Sequence, residues 1–162
     1  MAGKHEKAEK HFLQVVDSDA DFFPHAAAYD ALGLIFAEKN NFKKSEEFYR
    51  KALKEYVNDG NEIRAAFVHL ELGKIHLSNE NNAESRNSLI QAYSGLKKTA
   101  HYEELAFIHK SLGLIDMYNG DLQKACDHWD KSIVLFEKTK NLSSTENQEI
   151  VQAMVPTLCA HL

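Results

Sequence analysis

The sequence predicts an all-α fold, a right-handed α-solenoid of antiparallel helix pairs, on three observations. Leu-Gly pairs recur at Leu32-Gly33, Leu72-Gly73 and Leu112-Gly113, each 40 residues after the last. Polar, Asn-rich clusters fall between apolar stretches at regular intervals. Within those stretches the apolar residues keep steps of three or four, and strand-like alternation is absent. A fixed period of this size means stacked supersecondary units, none of which can bury its apolar face alone.

The first segment, 3–17, carries Ala8 and Phe12 four apart and reads as the second helix of a pair whose first member is missing. Three full units follow, over about 23–60, 61–100 and 101–140, each split into a first helix A and a second helix B. Asn40-Asn41 separates helix 23–39 from helix 42–57, whose stripe is Phe48, Ala52, Leu53 and Tyr56. Asn58-Asp59-Gly60-Asn61 leads to helix 62–79, and Asn79 to Asn82 leads to helix 82–98. The stretch from Thr99 to Tyr102 opens helix 102–118. Asn119-Gly120-Asp121 then supplies Asp121 as N-cap of helix 121–139, with Trp129, Ile133 and Phe136 on its apolar face.

Ser143 with Glu146 three residues later reads as a capping box opening a last helix, 145–161, an A helix without its B partner. Pro156 lacks a backbone donor and crowds the preceding turn, which predicts a kink or stop near Val155. The half-units at the two ends read either as caps of the solenoid or as parts of a longer array. The 162 residues form one domain on this reading.

Composition narrows the function classes. A net charge of −5 supplies no basic face for neutralising phosphates, so no nucleic acid is expected. No segment is apolar enough to span a bilayer, and the charged start lacks the apolar core of a signal peptide. Asn141-Leu142-Ser143 matches a glycosylation triplet and is set aside for that reason. Cys126 and Cys159 stand far apart beside apolar neighbours and are expected as small buried thiols of a reducing compartment, which points to a cytoplasmic protein.

Aligned on their glycines, the units read Ala28-Tyr-Asp-Ala-Leu-Gly-Leu-Ile-Phe, Val68-His-Leu-Glu-Leu-Gly-Lys-Ile-His and Ile108-His-Lys-Ser-Leu-Gly-Leu-Ile-Asp. Small residues follow the glycine by twelve (Ser45, Ser85, Ala125) and nineteen (Ala52, Ala92, Ser132), and large ones by sixteen (Tyr49, Leu89, Trp129). This pattern resembles the tetratricopeptide repeat family over about 23–140. The 40-residue period and the missing closing proline depart from the usual repeat of 34. They look like the extended branch that includes spindle-orientation adaptors, kinesin light chains and bacterial signal-peptide receptors.

The resemblance implies a scaffold or adaptor whose A helices line a concave groove that binds a peptide or an amphipathic helix of a protein partner. Its contact positions fall on Ala27, Asp30, Leu34 and Ala37, then Phe67, Leu70, Lys74 and Leu77, then Phe107, Lys110, Leu114 and Met117. Nine of these twelve are apolar. The family's carboxylate clamp is not reproduced, since Asp30 and Leu34 occupy the places of its first Lys and Asn. Two alternatives stand beside the adaptor: a chaperone-like holder of an apolar segment, of the secretion-chaperone type, and a module that forms homo-oligomers through its terminal helices.

Chemistry is not expected. Nine histidines invite a metal, but His69 and His109 hold the same place in successive units, where helix axes lie roughly 8–10 Å apart. Zinc ligands must converge to about 2 Å from the ion. Because Tyr29 holds the same place in the first unit, these histidines read as packing residues between A and B. Cys126 and His128, two apart on a helix, point to different faces. Glu46-Glu47 and Glu103-Glu104 read as solvated or first-turn charges. No nucleophile-elbow, phosphate-loop or His-Glu-x-x-His pattern occurs. The sequence therefore predicts no enzyme, no catalytic residue, no metal and no cofactor.

Overall fold

A computed structural model describes residues 2–18, 25–139 and 142–159. Among the described residues there are eight α-helices: α1 (Ala2–Val16), α2 (His25–Glu38), α3 (Phe42–Asn58), α4 (Glu62–Ser78), α5 (Asn82–Leu96), α6 (Tyr102–Tyr118), α7 (Leu122–Glu137) and α8 (Leu142–Cys159). They pack in consecutive pairs. The closest partners are α2 with α3, α4 with α5 and α6 with α7, which are the A and B helices of the three units. The expected start at 23 and end at 161 lie outside the described residues.

The A-to-B turns follow from local chemistry. Asn40, Glu80 and Gly120 all have positive φ, at 56°, 60° and 80°. This left-handed residue ends each A helix, and Gly120 alone takes the conformation without a steric cost. The next residue caps the B helix. Asn41 and Asp121 accept the backbone N–H of Lys44 and Lys124, each at 3.3 Å, while Asn81 makes no such bond. Asn61 caps α4 in the same way, accepting from Arg64 N at 3.1 Å.

The repeat glycines are places of close approach. A Cβ built on Gly33 would sit 2.6 Å from the Tyr49 ring, and one on Gly113 would sit 2.3 Å from Trp129 Nε1. The large residue of helix B thus fills the space that the glycine leaves on helix A. Hydroxyls then tie the pair together: Ser45 Oγ donates to Gly33 O at 2.7 Å and Ser85 Oγ to Gly73 O at 2.9 Å. The third unit has Ala125 instead. There Trp129 Nε1 donates to Lys110 O at 3.3 Å and Ser132 Oγ to Ala106 O at 2.8 Å.

The core is segmented along the stack. One cluster joins Tyr49, Ala52 and Tyr56 of α3 to Val68, Leu72 and Ile75 of α4; a second joins α4, α5 and α6 through Leu70, Leu89, Leu96 and Ile108. A third places Trp129 and Phe136 of α7 against Val151 of α8, with Leu114, Met117, Val155 and Leu158 packed around them. Fully burying side chains of this size contributes roughly 1.5–3 kcal/mol each.

Three expectations need correction at the last helix. α8 begins at Leu142, so Ser143 already lies inside the helix and cannot be its N-cap. The helix also does not stop near Val155 but continues to Cys159, because one missing backbone donor at Pro156 does not outweigh the packing of Leu158 and Cys159 on the third cluster. The cysteines are not free thiols: Cys126 and Cys159 form a disulfide, with Cα atoms 6.0 Å apart. Cys126 faces the next helix of the stack, and α8 folds back along α7 far enough to bring Cys159 to it.

Candidate functional site

The sequence-derived contact positions fall at equivalent register positions of α2, α4 and α6. α4 touches α6 and α6 touches α8, whereas α2 and α4 contact each other less, and a hollow of about 490 Å³ opens between them. Asp30 and Leu34 of α2 and Phe67 of α4 line it, with Ala27 and Ala31 beside them. Leu34 is 49% exposed, a large apolar side chain facing water.

The hollow also contains residues that the A-helix rule does not name: Tyr49 and Tyr56 from α3, and Asn61, Arg64 and Glu71 around the rim. The two tyrosines reach through from helix B, so no A-helix spacing could have indicated them. Glu71 stands one residue after Leu70, on the side of α4 that turns toward α2. Tyr56 Oη donates to Asp30 Oδ2 over a long 3.4 Å. Burial raises the Asp30 pKa above the usual carboxylate range, with Tyr56 and Arg64 pulling it back and Glu71 adding to the rise. The Tyr49 hydroxyl is held protonated by burial first, and then by the carboxylates of Glu71, Asp30 and Glu38.

One unit further along, the sign of the charge reverses. The ammonium groups of Lys74 and Lys110 lie 5.1 Å and 5.2 Å from the centroid of the Phe107 ring. Each such cation–π contact contributes about 0.5–1 kcal/mol at an exposed site. Lys74 also pairs with Glu71 at 2.7 Å, which links the basic end to the hollow. Phe67 meets His101 edge-on at 5.0 Å between centroids.

The remaining sequence-derived positions divide. Leu70 is not a surface residue: at 2% exposed it is packed in the core among α4, α5 and α6. The cause is that α6 lies close against α4 and covers Leu70, whereas α4 leaves the equivalent residue of α2, Asp30, only half-buried. Leu114 and Met117 are half-buried against the α8 cluster. Leu77 and Leu114 line a separate hollow of about 490 Å³ with Tyr118, near the A-to-B turn of the second unit.

His109 sits between α6 and α7, whereas His76 faces Glu46 of the preceding helix α3. His109 is 7% exposed, with Nδ1 2.9 Å from His128 Nδ1 and the Tyr93 ring edge-on to it at 5.3 Å. Burial, then the charges of His128 and Lys131, lower the His109 pKa to about 4. Beyond His128 lies Asp116, 4% exposed, whose Oδ2 is 3.6 Å from His128 Nε2 and whose Oδ1 accepts from Arg86. No sequence spacing indicates this chain of contacts, since its members come from three helices. Among the described residues no group of three or more His, Cys, Asp or Glu is arranged to hold a metal, and no helix is long and apolar enough to cross a membrane.

A repeat-family profile and one crystal structure agree with this architecture. The sequence profile of the tetratricopeptide repeat matches residues 26–56, which is the α2–α3 pair. The crystal structure of BtubC (BKLC) from P. vanneervenii superimposes with a TM-score of 0.72 at 15% identity, over 93% of this chain and 66% of that one. The chain thus spans 66% of that protein's length, and the likeness is one of fold. The APC/C hetero-tetramer Cut9-Hcn1 aligns at a TM-score of 0.44 and 16% identity, covering 96% of this chain and 36% of that one. No curated protein sequence matches the chain significantly. Tetratricopeptide repeats generally mediate protein–protein interaction, and the family is a non-catalytic scaffold family. The α2–α3 pair thus matches the tetratricopeptide repeat, and the chain as a whole shares the helical-solenoid fold of the P. vanneervenii protein.

Proposed function

We propose that the protein is an interaction adaptor that holds a peptide or amphipathic helix of a partner protein along α2, α4 and α6, with no chemistry of its own. The observation that supports this reading is the α2–α4 hollow. Its wall carries an exposed Leu34 and a half-exposed Phe67, its floor is aromatic, and it continues into the Lys74–Phe107–Lys110 cluster. Bulky anchors inserted into such pockets dominate binding energy, and a rim of charge fixes orientation. On this reading Asp30, Leu34, Phe67, Lys74, Phe107 and Lys110 contact the partner, and Leu114 and Met117 contribute only their exposed edges.

A selection of displayed random peptides on the folded protein tests it. Binders should lose at least roughly tenfold in affinity on Leu34→Glu or Phe67→Ala, the loss of one central anchor. They should keep it on Ile90→Glu and Val134→Glu, exposed positions on helices α5 and α7. The opposite pattern would move the site to the B helices.

A further inference from the structure

We infer that the α2–α4 hollow is a subsite for a basic side chain, so that the partner segment presents a Lys or Arg there. This deepens the binding reading above and rests on it.

The hollow has the volume for such a side chain, at about 490 Å³, and its lining suits the aliphatic stem, with Leu34 from α2 and the Phe67 ring from α4. Long cationic side chains bury their methylenes on apolar surface while the head seeks an acceptor. That acceptor is Asp30. Its carboxylate is half-buried on an apolar helix face, and its hydrogen bond from Tyr56 is long at 3.4 Å. Removing a carboxylate from water is costly unless a strong donor replaces the water, and an incoming ammonium or guanidinium is such a donor. Glu71 at the rim is already paired with Lys74 at 2.7 Å, which leaves Asp30 as the acceptor for an incoming cation, and both carboxylates act on the Tyr49 hydroxyl at the floor.

One cation already lines the hollow. Arg64 stands exposed in the first turn of α4, and its charge favours ionised Asp30. It offsets part of the larger effect of burial, which raises the Asp30 pKa, and a second cation in the hollow would favour the charged carboxylate further. The next position along the groove excludes the same ligand group, because Lys74 and Lys110 hold their ammonium groups at Phe107. A basic side chain therefore has one favourable place on this face, and the partner has one orientation.

The test uses the same displayed peptide selection on the full chain, followed by titration of the selected peptides. The expected result is enrichment of Lys or Arg at one peptide position. Replacing that residue by norleucine should weaken binding roughly tenfold, the scale of one charge-assisted hydrogen bond. Asp30→Asn should weaken the parent peptide by a similar factor and leave the norleucine peptide unchanged. Selection on Asp30→Lys should replace the basic residue by Asp or Glu. Peptides that need Leu34 and Phe67 yet show no basic preference and no response to Asp30→Asn would overturn this inference and leave the groove reading standing. Peptides indifferent to Leu34→Glu and Phe67→Ala would overturn both.

Discussion

The first and third units carry equivalent residues on the same face and use them differently. Leu34 and Leu114 each follow the repeat glycine by one residue, yet Leu34 stands 49% exposed over a hollow while Leu114 packs against the α8 cluster. The same register thus points both residues to one side, and the neighbouring helix decides whether that side is open. Toward α2 the stack leaves a gap. Toward α8 it is closed by apolar contact and fastened by the Cys126–Cys159 disulfide.

The largest effect should come from breaking the closed end at its centre. Trp129→Ala empties the space over Gly113 and should cost about 3–5 kcal/mol, read by chemical denaturation. Replacing both cysteines by serine comes next, at about 3–4 kcal/mol for a linkage spanning 33 residues. If the disulfide is what makes the third unit closed, the double variant should also show faster amide exchange in α8 with α2 unchanged. Equal exchange in both proteins would assign the closure to packing alone.

A pH effect should separate the two units further. His109 in the third unit occupies the place that Tyr29 holds in the first. An unfolded histidine takes up its proton near pH 6.5, whereas His109 in the folded protein does so only near about 4. Between those values the unfolded chain binds more protons, so stability falls as pH drops from about 6.5 toward about 4. Burial lowers the His128 and His69 pKa values too and acts in the same direction. His109→Phe should flatten part of this slope in denaturation midpoints measured across the window; an unchanged slope would remove His109 from the account.

The sequence carried the stack and its face better than the contacts between helices. The Leu-Gly period, the small and large positions and the Asn and Asp caps are local signals, and they locate the eight helices among the described residues. Which groove residues are open depends on how far neighbouring A helices separate, and nothing in the α4 sequence says that α6 covers Leu70 while α2 leaves Phe67 half exposed. The disulfide was hidden for a similar reason. Position thirteen after the repeat glycine faces the next A helix in every unit: Glu46 lies 3.9 Å from His76, Arg86 pairs with buried Asp116, and Cys126 bonds Cys159. One structural place thus holds three chemistries, which an alignment of the three units shows as three unrelated residues.

The smallest effect on stability should come from the open end. Leu34→Glu should change it by no more than about 0.5 kcal/mol, since the side chain is already half in water, while removing partner binding. That contrast between stability and binding is what distinguishes an anchor waiting for a ligand from a piece of the core.

The most direct measurement is amide chemical-shift mapping of the folded protein during titration with a selected peptide. The account predicts perturbations centred on Asp30, Leu34 and Phe67 and extending to Lys74 and Phe107. Perturbations confined to the exposed faces of α3, α5 and α7 would contradict it.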